Sequence, residues 1–245
     1  MIKIFDLPQH VVIVKDPVEA GLRLNTRLAN AVLFPSVVPA DADLPPEVLQ
    51  YLYRDPIQVQ IDDCPVVSVA GRIEQALLSY KFPSEGGVLW KLIEDVERMA
   101  VSVSSATGQK AVHIRISSDW YRGATWHVDP NRVVATIVYC GPSTQFVHED
   151  DVLDCQKITE IPVRGDAKHY CVPERWMLVA RGDKRVMTSE GESVYSRGLV
   201  HRKPPEPWGQ PPTRRVLALV FRDYAIIERE SRRQDGSTNR GCKSR

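Results

Sequence analysis

Two side chains that bind metals well stand two residues apart in Trp126-His127-Val128-Asp129-Pro130. Alternate residues of an extended backbone share a face, so His127 and Asp129 are expected to present an imidazole nitrogen and a carboxylate oxygen to one ion. A third ligand must then come from elsewhere in the chain. A histidine on a neighbouring strand completes the 2-His-1-carboxylate set, which leaves one side of a six-coordinate ion open. His201, in Leu199-Val200-His201-Arg202, is the candidate. A His-x-Asp triplet alone says little, because with six histidines in the chain it arises by chance in about a third of such sequences. Asp129-Pro130-Asn131 also suits an ordinary turn before a strand, and His201 beside Arg202 and Lys203 suits a loop. Order favours the metal. The triplet is followed by His201 and then, 13 residues further on, by Arg214-Arg215 leading into the apolar run 216–221.

That order, His127-x-Asp129, then His201, then Arg214-Arg215, resembles the pattern of the Fe(II)/2-oxoglutarate dioxygenases over roughly residues 110–224. The resemblance implies an α+β fold built on a double-stranded β-helix (jelly roll, cupin-like), with N-terminal helices packed on one face. It also implies Fe(II) held by His127, Asp129 and His201, with 2-oxoglutarate as co-substrate and O2 as oxidant. The expected reaction releases succinate and CO2 and hydroxylates a small molecule or an amino-acid side chain. Asp129 at the ligand position speaks against the halogenating branch, which has a small residue there. The far carboxylate of 2-oxoglutarate would be met by an arginine, whose planar fork gives two parallel charge-assisted hydrogen bonds. Arg214 or Arg215 suits that role. Neighbours on a strand face opposite ways, so only one of them points inward, and the sequence does not choose.

The runs WHVDPNRVVATIVYCGPSTQFV, VPERWMLVARGD and GLVHRKPP with RRVLALVF are similar to an uncharacterised bacterial family. Its pattern is an aromatic-His-x-Asp, an arginine and a threonine-tyrosine strand, GPGT, and a late HRSP followed by RR. Ser143 stands here for the second glycine of GPGT, Lys203 for the serine of HRSP, and Val138 where that family has threonine. All three ligands are retained. Arg132, Trp126, Thr136 and Tyr139 are expected to line the substrate or co-substrate pocket, although Arg132 equally suits a surface ion pair and Trp126 a core position. Two other readings remain open. One is a cupin-like module that binds a metal or small acid without turnover. The other is a metal-dependent hydrolase, since two histidines and a carboxylate also suit zinc with a bound water.

The elements that must position these residues change character along the chain. Apolar residues recur at helical spacing between 68 and 80, and again as one stripe between 87 and 104, with Lys91, Glu94, Asp95 and Arg98 largely opposite. Pro45-Pro46 ahead of Glu47 marks a short helix near 46–54, and 10–14 is a β-like run. Beyond Thr107-Gly108 the chain breaks into β-branched runs at 111–117, 132–140, 158–163, 176–181, 184–188 and 214–224. One domain is expected over 1–227, with a helical region of about 1–107 and a β core of about 108–227. The charged, aperiodic stretch 228–245 reads as a disordered tail.

Composition narrows the partners. Of 245 residues, 32 are Lys or Arg and 31 Asp or Glu, a formal charge of +1 that gives no field to draw in nucleic acid or an anionic membrane. The longest apolar run, 133–140, is far short of the roughly 20 residues that cross a bilayer. The N-terminus lacks the apolar stretch of a secretory signal, so a cytoplasmic location is expected. The five scattered cysteines read as free thiols. The expected partner is a small-molecule substrate, and oligomeric state is not legible.

Overall fold

The computed structural model describes residues 7–25, 29–38, 46–48, 57–83, 87–120, 125–153, 160–182, 184–187, 193–196, 198–205 and 214–222, with backbone alone for several strand residues, Arg214 and Arg215 included. In chain order the elements are β1 (Val11–Ile13), α1 (Pro17–Asn25), β2 (Ala31–Pro35), β3 (Gln58–Pro65), α2 (Val69–Ser79), α3 (Val88–Thr107), β4 (Ala111–Trp120), β5 (Val133–Cys140), β6 (Gln145–Phe146), β7 (Tyr170–Cys171), β8 (Trp176–Arg181), β9 (Lys184–Met187), β10 (Ser193–Ser196), β11 (His201–Arg202) and β12 (Arg214–Arg222).

The apolar stripe at 87–104 becomes α3, which runs one turn further than its periodicity shows. It stops at Gly108, whose φ of 74° is the left-handed conformation that closes a helix, with its N–H donating to the Ser104 carbonyl at 2.7 Å. The first helix, α1, shows no clear stripe in the sequence, yet its start is explicit. Pro17 occupies the first turn, and Asp16 Oδ1 accepts from the N–H groups of Val18 at 2.7 Å and Glu19 at 2.9 Å.

A seven-stranded sheet in the order β1-β2-β8-β5-β12-β4-β3 carries the helices on one face. Only the β1–β2 pair is parallel. Val32, Phe34, Ala135, Ile137, Met177, Val179, Ala218 and Val220 point from this sheet into a core shared with the three helices. Each such large apolar side chain contributes about 1.5–3 kcal/mol through burial. The alternate residues Ala31, Leu33, Leu178 and Ala180 face the other way. They meet Phe146 and Tyr170 of a small sheet of order β11-β6-β7, and Leu199 just before β11, in a second core. Among the described residues β9 and β10 pair only with one another. The result is a mixed α/β architecture of helices, large sheet and small sheet in layers.

Two expectations change. The N-terminal region is not helical alone, because it supplies β1, β2 and β3 to the large sheet. The described part of 158–163 makes a single bridge, Val152 to Val163, rather than a strand. Ile161 instead packs on Trp126 and donates its N–H to the Trp126 carbonyl at 2.8 Å. Of the helix expected at 46–54, residues 46–48 are helical, and 49–54 lie outside the described residues, as does the tail 228–245. Among the described residues no helix is long and apolar enough to cross a membrane.

Candidate metal centre

His201 opens β11 and lies opposite Phe146 of β6, which lies opposite Tyr170 of β7. Opposed residues of an antiparallel ladder share a face. Phe146 and Tyr170 point at the large sheet, so His201 does too. On its other side His201 bridges His127, each residue's N–H donating to the other's carbonyl at 2.9 Å. The strip containing His127 thereby extends the small sheet by one rung. Trp126 and Val128 enter a separate cluster with Val147, Ile161 and Val200 on the outer side. Alternation therefore turns His127 and Asp129 to the inner side with His201.

The three side chains form the one group of His, Cys, Asp or Glu among the described residues that could hold a metal, with one ligand atom from each lying within 4.8 Å of the others. His201 Nε2 is 3.3 Å from Asp129 Oδ2, and the imidazole centroids are 4.5 Å apart. Both histidines are oriented by the same local device. Nδ1 of His127 is 2.9 Å from the carbonyl of Thr125, and Nδ1 of His201 is 3.0 Å from that of Leu199. A carbonyl only accepts, so each Nδ1 carries the proton and each Nε2 keeps its lone pair for a metal.

The electrostatics suit a cation. Burial pushes the pKa of His127 down, and neighbouring His201 adds to this, so the ring is neutral at physiological pH. Burial alone would raise the pKa of Asp129, but His201, whose Nε2 lies 3.3 Å away and bonds the carboxylate whenever that ring takes up a second proton, outweighs it together with His127 and keeps the carboxylate ionised; a metal would replace that second proton on Nε2. Neutral imidazole and ionised carboxylate are the forms a metal takes up. The donor set and its protonation therefore fit a divalent ion.

The pocket residues expected from sequence separate. Thr136 on β5 pairs with Leu178, which faces the small sheet, and so lies on the inner face. Tyr139 has the opposite parity, buried on the helix side near Asp95. Trp126 turns outward, where the Arg202 guanidinium stacks 4.1 Å from its ring centroid. Arg132 reaches toward the Thr107 carbonyl at the end of α3, at 3.5 Å. Thr136 thus lies on the inner face, while Tyr139 lies on the helix side, Trp126 on the outer side and Arg132 at the end of α3. Along β12, Arg214 has the parity of Val216, Ala218 and Val220, and Arg215 that of Leu219, the partner of Thr136.

Sequence reading missed the groups that orient the ligands, the carbonyls of Thr125 and Leu199, and the wall residue Phe146. A backbone carbonyl leaves no mark in a sequence. Phe146 was within reach, as the one aromatic in the short run after Gly141-Pro142.

The chain is thus a mixed α/β protein with a His-Asp-His group on the inner side of its small sheet. It belongs to DUF1826, a family of proteins of unknown function, whose family model matches residues 49–219. No curated protein matches the chain in sequence. Among solved structures it is similar to a full-length Neurospora crassa protein in complex with alpha-KG, at 12% identity and a TM-score of 0.40, covering 91% of this chain and 88% of that one. It is also similar to the ribosomal oxygenase YcfD of Escherichia coli in complex with cobalt and 2-oxoglutarate, at 15% identity and a TM-score of 0.27, covering 55% of this chain and 30% of that one. At these scores neither likeness bears on the chemistry of this chain.

Proposed function

We propose that the chain is an Fe(II)- and 2-oxoglutarate-dependent oxygenase, with its two facing sheets forming a double-stranded β-helix, that hydroxylates a small molecule or an amino-acid side chain. The observation that carries this reading is the group itself: two histidines whose Nδ1 atoms are held by backbone carbonyls, gathered with an ionised carboxylate so that one ligand atom of each lies within 4.8 Å of the others. His127, Asp129 and His201 would hold the ion and leave three coordination positions open, enough for a bidentate 2-oxo acid and then dioxygen. Bound there, iron with 2-oxoglutarate would supply the oxidative decarboxylation that drives C–H hydroxylation.

The protein's part is positioning. Thr136 places a hydroxyl on the face opposite the ligands and suits a hydrogen bond to co-substrate or substrate. By register Arg215, rather than Arg214, is the arginine for the far carboxylate of 2-oxoglutarate. Phe146, opposite His201, and Leu199, two residues before it, belong to the second core and would limit water beside the group.

Anaerobic titration with Fe(II) and 2-oxoglutarate tests the reading. Wild-type protein should take up one iron and develop the visible metal-to-ligand absorption of a chelated 2-oxo acid. His127→Ala should lose the band, and adding O2 to the wild type should yield succinate. Iron bound without any band, or turnover that proceeds without O2, would sink the oxygenase reading and favour the hydrolytic use of the same ligands.

A further inference from the structure

The segments that carry Asp129 and His201 pair directly at the His127–His201 rung, and beyond that rung, beside Asp129, the end of β8 enters between them. Gly182 donates its N–H to the Arg132 carbonyl at 3.1 Å, which fastens the end of β8 to the segment after Asp129. Leu199, two residues before His201, donates its N–H to the Arg181 carbonyl at 3.0 Å, which fastens the His201 segment to the other side. Arg181 in turn donates to the Asn30 carbonyl at 2.9 Å, so the spacer is held to the large sheet.

All three segments meet at backbone distance, and two glycines permit it. A Cβ on Gly182 would overlap the carbonyl oxygens of Asn131 and Asp129 and lie 2.8 Å from the Asn131 carbonyl carbon. A Cβ on Gly198 would overlap the Arg181 carbonyl oxygen and lie 2.6 Å from the carbonyl of Gly182. No flexible side chain is available to yield at either point. One of the atoms that would have to move is the carbonyl of the ligand Asp129 itself. Both glycines are buried, and the β9–β10 hairpin leaves the body after Gly182 and returns before Gly198. The spacer is therefore a pinch point of the chain, closed on both sides by the metal-ligand segments.

We propose that Gly182 and Gly198 are positioning residues of the metal centre: lacking side chains, they let the end of β8 act as a thin spacer that sets the separation between Asp129 and His201. The inference rests on the metal reading above and extends it from the ligands to the backbone that spaces them. Either methyl group would widen the spacer, and the hydrogen bonds on its two sides would pass the displacement to Asp129 and to His201. The ligand set would stay complete but splayed.

The test uses cobalt(II) alone, whose ligand-field absorption reports coordination geometry, with Gly182→Ala, Gly198→Ala and Gly21→Ala. Gly21 is a control of equal tightness far from the ligands, since its Cβ would overlap Ser105 between α1 and α3 and lie 2.8 Å from the Ala106 nitrogen. All three variants should melt earlier than wild type. Only Gly182→Ala and Gly198→Ala should also bind cobalt about 10–100-fold more weakly, the range typical of residues that orient metal ligands, with shifted ligand-field bands. Affinity is read at temperatures where circular dichroism shows native structure. Should Gly182→Ala not fold, Gly198→Ala carries the test. Variants that are folded and less stable yet bind cobalt with wild-type affinity and spectrum would overturn the proposal and leave the metal reading standing. Wild-type protein that takes up no cobalt would bring down both.

Discussion

At the metal group neither histidine is free to choose its nitrogen. Each ring leans back two residues along its own chain to a carbonyl, so the coordinating face is set before an ion arrives. Another ionisable group that burial has changed is Asp95, on the helix side of the large sheet. It accepts from the Ser36 hydroxyl and, at 2.9 Å, from the Val37 N–H, with Arg98 at 3.8 Å. Burial nevertheless pushes its pKa up to about 6, beyond what those hydrogen bonds and Arg98 offset. Because this exceeds the ordinary value of 3.8, the folded state holds the proton more tightly than the unfolded chain. The resulting stability is fully present below the unfolded value and is lost as pH rises through about 6. Lowering pH from 7 to 5 should therefore stabilise wild type by about 1 kcal/mol relative to Asp95→Asn, read as urea midpoints of the two proteins at both pH values. Parallel pH dependence would refute the assignment.

At the scale of elements, the register of β12 gives two neighbouring arginines opposite parity. Its pairing with β4 runs unbroken from Arg214 to Phe221, so parity carries through from the buried Val216, Ala218 and Val220 to the residues before them. The irregularity opposite β5 lies between Val216 and Leu217, where β5 advances from Cys140 to Val138 and β12 keeps its step. Arg215→Ala should weaken 2-oxoglutarate binding by about 1.5–3 kcal/mol, the worth of hydrogen bonds to a charged group. Arg214→Ala should leave it nearly unchanged, with both read from the co-substrate titration of the iron band. The reverse order would show that alternation breaks before Val216. The helix α3 was legible because its stripe keeps one period for many residues. The strands β6, β7 and β11, each two residues long, were not, because two residues have no period to show.

At the scale of the whole molecule, the small sheet is held to the large one by a limited set of apolar contacts. Phe146 stands at their centre, fully buried and stacked on Tyr170 with ring centroids 5.5 Å apart. Phe146→Ala should destabilise the protein by about 3–5 kcal/mol in urea unfolding. It should also weaken metal binding, since His201 lies directly opposite. A variant that loses stability yet keeps full metal affinity would show that the ligand strip is supported without the sheet contact.

The sequence by itself determined the ligand types and their order, the long helix and the principal strands of the C-terminal half. Each of these is written in local spacing: the two-residue step from His127 to Asp129, a 3.6-residue stripe in α3, apolar runs in β5 and β8. Only the tertiary structure decided which side of each strand carries the His-Asp-His group, with Thr136 on the inner face, Tyr139 on the helix side and Trp126 on the outer side. It also decided that strands from before residue 66 complete the large sheet, and that three backbones meet at Gly182. The reason is physical: spacing along a chain fixes which residues share a face, but the meaning of that face depends on what packs against it, and those partners are distant in sequence.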